Sequence, residues 1–347
     1  MLVVTCCTGM NASSQEVYVS ADGFAHSESK AVKSITGNWD GDLHSGEIAF
    51  SVDRAEVGIV MGDWRIGYLS RYDYYFEYSP NTAELINASK NKLPLAPGTN
   101  YDLYLHANTL VSKGLRVGYT HKYKDLTYGL SVSYLQGKRF TNGTIRGDAV
   151  SLSDRDYDFN FDVDYFYSQD KLFDRRVEQP KGRGYALDLV LNWRVGERLR
   201  FGFRADDILA RMSWRDAPRT IATATSDTKE FDSSGYVIYK PVISGLETNQ
   251  DYLQKIPRKL FLSADYTISQ YVVAVEYRDY DLKGFFTIGV NKPTSNETDF
   301  GFLCNLTAKS CGIDFSGTWY KFRFMTDKLN LQDARTLELY FLVSYSY

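Results

Sequence analysis

Along most of this chain apolar side chains return at every second residue, a period that belongs to extended strands with two unlike faces. In 126–136, Leu126, Tyr128, Leu130, Val132 and Tyr134 alternate with Thr127, Gly129, Ser131 and Ser133. In 185–195, Tyr185, Leu187, Leu189, Leu191, Trp193 and Val195 alternate with Ala186, Asp188, Asn192 and Arg194, with Val190 the exception. Tyr157, Phe159, Phe161, Val163 and Tyr165 interleave with Asp156, Asp158, Asn160, Asp162 and Asp164. Leu199, Phe201, Phe203 and Ala205 do the same with Arg198, Arg200, Gly202 and Arg204. Similar runs cover about 64–78, 100–110, 114–122, 258–267, 271–279 and 318–326.

Three features take these runs beyond ordinary half-buried strands. The polar face often carries full charges. The runs reach about ten residues or more, longer than the five or six usual in globular sheets. Tyrosine and tryptophan stand near their ends, as at Trp64, Tyr185 and Trp193. All eight prolines fall between the runs or within 207–257, where no ladder needs an N–H. The 27 Tyr and 20 Phe on a mean hydropathy of −0.35 fit alternating faces. A net charge of −3 with mixed signs offers nucleic acid no basic field. No run of about 18 apolar residues is present to make a transmembrane helix.

The last strand is the most specific. Leu337, Leu339, Phe341, Val343, Tyr345 and Tyr347 alternate to the final aromatic, although Tyr340 and Leu342 fall on the other face. This resembles the C-terminal signature of bacterial outer-membrane β-barrel proteins. The resemblance implies that Phe341, Tyr345 and Tyr347 form the signal read by the barrel-assembly machinery, in the outer membrane of a Gram-negative-type bacterium. It ends on Tyr where Phe is commoner. The physics agrees, because in lipid every backbone group must be paired and spanning strands must close on themselves. The expected fold is all-β: a single antiparallel transmembrane β-barrel of roughly sixteen strands, with fourteen to eighteen allowed.

Counting back from Tyr347 as periplasmic places 327–334, 168–182, 207–257 and the loop between Cys304 and Cys311 outside, and the turn near Gly317 inside. The first wall strand is then 47–61, and the connection 79–99, with helical character around Thr82 to Asn91, falls awkwardly on the periplasmic side. The barrel occupies 46–347, with 207–257 its long outer loop. Residues 13–45 read as a periplasmic or plug segment. Residues 1–12 read as a truncated signal peptide, since Ala12-Ser13-Ser14 offers small residues for cleavage but no basic region precedes it. Removing it takes Cys6 and Cys7 and leaves Cys304 and Cys311, spaced for a disulfide in an oxidising compartment.

Catalytic signals are weak. The histidines are His26, His44, His106 and His121, and no HExxH, Walker loop or GxGxxG is present. Gly118-Tyr-Thr-His121-Lys-Tyr123 looks faintly like the histidine strand of outer-membrane phospholipases, but Tyr123 stands where that family has its serine, so the nucleophile is missing. A girdle or lumen-facing His121 is the reading preferred. Neither an enzyme nor a cofactor or metal site is expected.

Charge is more informative. Asp156, Asp158, Asp162 and Asp164 form one ladder, and Arg194, Arg198, Arg200 and Arg204 another, joined by Arg116, Lys122, Lys321 and Arg323. Opposed ladders across a water-filled bore would select solutes by charge. The same residues, paired with one another, would instead fill a narrow interior. The leading expectation is a porin-like channel for small polar or charged solutes, narrowed by 207–257. Two alternatives stand beside it: a barrel that anchors surface loops for binding or assembly, and a plugged transporter of hydrophobic compounds. Partners are then outer-membrane lipid, assembly machinery and small solutes. Sequence leaves the solute and the oligomeric state open.

Overall fold

The computed structural model describes residues 15–35, 37, 39–226, 229–239, 242–293 and 298–346. The expected signal peptide and Tyr347 lie outside the described residues.

The strands of the wall pair antiparallel throughout. The wall begins with β1 (Gln15–Ser27), β2 (Ile48–Met61), β3 (Trp64–Tyr78), β4 (Asn100–Tyr123) and β5 (Leu126–Ser151). Next come β6 (Tyr157–Tyr167) and β7 (Lys181–Val195), which lie end to end along β5. After β8 (Leu199–Thr225), a small hairpin of β9 (Lys229–Phe231) and β10 (Val237–Tyr239) stands apart. Then β11 (Val242–Lys255) and β12 (Lys259–Ile268) continue one another along β8. The wall is completed by β13 (Tyr271–Asp279), β14 (Gly284–Pro293), β15 (Asp299–Asn305), β16 (Ser310–Ser316), β17 (Tyr320–Thr326) and β18 (Thr336–Ser346). β18 pairs with β1 from Glu16↔Ser346 to His26↔Thr336, so the sheet closes into a barrel of fourteen staves.

Two short helices, α1 (Val32–Ile35) and α2 (Pro80–Asn91), lie at the upper rim, the one opposite the end of β18. α2 starts where sequence chemistry says it should: Ser79 caps it, its Oγ accepting from the Thr82 N–H, and Pro80 occupies the first turn. Leu85 and Ala88 pack outside the barrel against Tyr101, Ala149 and Phe159.

Outward-facing residues form a continuous apolar band. In ladder rows it runs Tyr123–Leu126–Trp193–Phe201 at the bottom, then His121–Tyr128–Leu191–Phe203, through Val117–Val132–Leu187–Leu209. Tyr134 and Tyr185 finish it above. Five rows spaced by two residues on tilted strands give a height of roughly 20–25 Å, the height of a bilayer's apolar core at such a barrel. Aromatic girdles, closed wall and apolar band make this an outer-membrane-type β-barrel and place it in the outer membrane of a Gram-negative-type bacterium.

Several boundaries differ from the sequence reading. Residues 15–27 form a wall strand, not a periplasmic or plug segment. Glu16, Tyr18, Asp22, Phe24 and His26 face the lumen, while the outward Ala21, Gly23 and Ala25 are too small to announce a lipid face. β4 runs unbroken through Ser112-Lys113-Gly114, where two strands were expected, and this single step moves 79–99 to the upper rim. Residues 207–257 are not a long loop: β8 and β11 continue through them as a raised hairpin, so among the described residues the backbone of this segment stays in the wall or above it, and only side chains such as Asp207 and Trp214 reach inward. Cys304 and Cys311 are bonded across the β15–β16 hairpin at the upper rim.

Candidate functional site: a closed lumen

The barrel interior is filled in layers. At mid-height Arg71 on β3 donates to Asp73 Oδ2 at 2.7 Å and to Asp207 Oδ1 at 2.8 Å. Lys259 Nζ lies 2.6 Å from Asp207 Oδ2 and 3.2 Å from Asp73 Oδ1. All four side chains are at most 3% exposed. Asp207 reaches this position because β8 bulges there, with two extra residues against β7 and a positive φ of 59° at Asp207. Lys259 opens β12, just beyond the Pro257 break. Buried charges of this kind persist only when each is paired and hydrogen-bonded, as here.

Further pairs extend the layer downward and sideways. Arg116 meets Asp188 at 2.7 Å and Glu56 at 3.2 Å, and Tyr18 donates to the same Glu56. Arg323 joins Glu276 at 3.0 Å and Asp314 at 2.9 Å, while Arg278 joins Glu338 at 2.8 Å. Arg204 lies near Asp22 and Asp206 and rests 3.9 Å from the centre of the Phe261 ring. The cavity among Arg54, Arg71, Arg204, Lys259 and Tyr280 measures about 30 Å³, room for about one water.

Above the charges sits an apolar lid. Phe24, Phe50, Tyr75, Phe261 and Phe285 converge from five staves and Tyr280 from the β13–β14 loop, with Phe24 stacked on Tyr280 at 4.8 Å. Beside them Trp214 stacks on Phe140 at 4.1 Å and donates to Gln254 Oε1 at 2.9 Å. Its ring fills the joint between β6 and β7, where residues 168–180 leave the wall. A Cβ on Gly137 or Gly182 would come within 2.3 or 2.5 Å of the indole, so both positions require glycine.

A different space opens at the upper rim, outside the wall. A groove of about 290 Å³ beneath α1 is lined mainly by Val32, Ile35, Ala49, Phe50, Tyr74 and Phe76. Polar groups border it: His26, Ser51 and Asp53, with Ser51 Oγ donating to Asp53 at 2.5 Å. Phe50 belongs both to this groove and to the lumen lid. Beforehand these residues were legible only as parts of the alternating run 64–78 and of the expected first wall strand, 47–61.

The expected ladders are separated along the barrel axis rather than opposed across it. Arg194, Arg198 and Arg200 are exposed at the lower rim, Arg200 opposite Asp265. Asp158, Asp162 and Asp164 stand on β6 above the lid, with Asp164 held by Arg219 at 2.8 Å and Asp162 accepting from Thr223 at 2.6 Å. Asp156 precedes that strand. Of the remainder, Arg116, Arg204 and Arg323 do line the interior, as partners in the packed layer. His121 is a girdle residue at the lower rim: it stacks on Tyr119 and its Nδ1 lies 2.7 Å from Asp63, which holds that carboxyl below its usual range. Among the described residues no cluster of His, Cys, Asp and Glu could hold a metal ion.

No protein-family model matches the chain, and no curated protein matches it. Solved structures with related shape are outer-membrane barrels. The Pseudomonas putida toluene transporter TodX has a TM-score of 0.43 and 11% identity, over 97% of this chain and 90% of that one. A Pseudomonas aeruginosa FadL homologue gives 0.28 and 10%, over 96% and 89%. The outer-membrane protease OmpT from Escherichia coli gives 0.23 and 12%, over 98% of both. At such values these likenesses say nothing of what this barrel carries.

Proposed function

We propose that this barrel is a closed-lumen transporter for small hydrophobic compounds, which enter through the groove beneath α1, and not a diffusion porin for polar solutes. The observation that carries this reading is the buried Arg71–Asp73–Asp207–Lys259 quartet beneath an aromatic lid. A polar solute gains nothing by displacing charges already paired in a dry layer. An apolar molecule instead meets a groove whose roughly 290 Å³ exceeds the 150 Å³ cavity known to accept benzene. Phe50 borders both the groove and the lid, and is the residue through which occupancy of the groove would reach the lumen. The toluene transporter among the neighbours has a name of this kind, but the reading rests on the groove.

Two measurements test it. Planar-bilayer recording should show no steady ionic openings; a stable conductance in the resting protein restores the porin reading. Toluene binding, followed by tyrosine fluorescence, should saturate and be lost in Ala49→Trp, which fills the groove. Unchanged binding in that variant removes the groove from the pathway.

A further inference from the structure

One side of the barrel carries a cationic shelf that the closed lumen does not use. Just above the apolar band, Arg139, Lys181, Arg183, Arg211, Arg215 and Lys255 are all exposed and, by register with Tyr134, Tyr185 and Leu209, face away from the barrel. Tyr185 pairs with Arg211 and Arg211 with Lys255; one step up, Lys181 pairs with Arg215. None of the six makes an ion pair among the described residues. The nearest acids in register, Asp216 and Asp251, sit at the bulge above and engage each other's neighbourhood, Asp251 accepting from the Asp216 N–H at 3.0 Å. On the opposite side the corresponding outward positions are apolar: Tyr277, Phe286, Phe324 and Leu339.

Six like charges brought onto adjacent strands repel one another, so a cluster without internal partners is poised for an external anion. Its height selects the anion. The cations begin at the row where tyrosines end the apolar band, the level of lipid head groups, and their long stems reach across that boundary. We infer that β5, β7, β8 and β11 form a docking face for a phosphate-bearing lipid of the outer leaflet, with its phosphates on the arginines and its acyl chains along Val132, Leu187 and Leu209. Arginine suits this role through paired N–H contacts to phosphate. This rests on the membrane placement but not on the transported compound.

The full chain in dodecylmaltoside micelles, titrated with lipid A and followed by native mass spectrometry, tests the inference. Lipid A should bind saturably, and Arg183→Glu with Arg211→Glu and Lys255→Glu should weaken binding at least about a hundredfold, at roughly fivefold or more for each lost charge. The milder Arg183→Gln alone should cost about fivefold and serves if the triple variant does not fold. Lys309→Glu with Lys328→Glu, exposed cations of the same rim on the opposite side of the barrel, should change nothing. Equal binding of dephosphorylated lipid A, or full retention by the charge-reversed variants, overturns the site. Displacement of lipid A by inorganic phosphate at matched concentration also overturns it, because the shelf would then hold a free anion. Reconstitution into nanodiscs separates the two readings: a chain that stays outside the bilayer fails as a membrane barrel, whereas one that inserts without phosphate preference fails only here.

Discussion

The two sides of this barrel solve the same problem with very different amounts of chain. On one side β4, β5 and β8 run for 24, 26 and 27 residues; on the other β15, β16 and β17 have 7 each. A tilted strand needs only about ten residues to cross the apolar core, so the long strands stand well above it. Everything that decorates the molecule follows from that surplus. Outer faces such as Tyr101, Val163 and Tyr167 lie above the lipid and have to be covered, by α2 and by residues 168–180 with Phe173 and Val177. The short side needs no cover and gains a disulfide across its β15–β16 hairpin. Tertiary packing above the bilayer fixes the length of the long strands.

The largest effect should come from the layer that ties both sides together. Arg71→Ala leaves Asp73 and Asp207 with Lys259 and, at 4.0 Å from Asp207, Arg54, and should cost about 3–5 kcal/mol in urea unfolding followed by heat-modified gel migration. A loss below about 1 kcal/mol would mean that water already reaches the quartet.

Trp214→Ala should cost about 3 kcal/mol through the cavity at the β6–β7 joint. Hydrogen exchange should then rise in β6 and the upper part of β8 and stay level in β15 to β17. A uniform rise would show the barrel to be one cooperative unit and dissolve the contrast between its sides.

Replacing Cys304 and Cys311 by serine should cost about 2 kcal/mol or less, because the closed loop is short. The loss should appear on the short side alone.

The smallest effect is at the hairpin tip. Lys92 donates to Asp232 at 2.6 Å and, with the backbone N–H of Tyr236, holds that carboxyl below its ordinary range. The tether is therefore present above the usual aspartate pKa of about 3.9 and is lost as pH falls through the lower folded value. Protease cleavage between β9 and β10 should rise from pH 5 to pH 3 and be insensitive to pH in Lys92→Ala.

Much of the wall was legible from alternation alone. The outward sets of β5 and β7 are those the sequence pattern picked out, and so is the disulfide. Where the reading failed, the residues explain it. β1 escaped because beyond Val17 and Val19 its lipid face carries only Ala21, Gly23 and Ala25. β4 was divided because Ser112-Lys113-Gly114 has turn chemistry inside a strand. β8 and β11 looked like loop because bulges at Asp207 and Asp216, and Pro218, interrupt the period. The quartet was not read at all: Arg71 and Asp73 share a face of β3, but Lys259 and Asp207 reach them from a strand break and a bulge, and no local pattern announces a partner 136 or 186 residues away. The charge ladders were seen and their axial separation was not, because a sequence gives the face of a residue and not its height.

The seam between β1 and β18 sets an order of events. Glu16 and Ser346 are paired neighbours, yet nearly the whole chain lies between them. Every other wall contact forms between strands closer in sequence, so the seam carries the greatest loop-closure cost and forms last. Until it does, β1 and β18 are bare edges with unpaired amides that lipid does not tolerate. Growth of the sheet and entry into the bilayer are thus a single late step, and a chain cut short before β18 makes an open ribbon, not a smaller barrel.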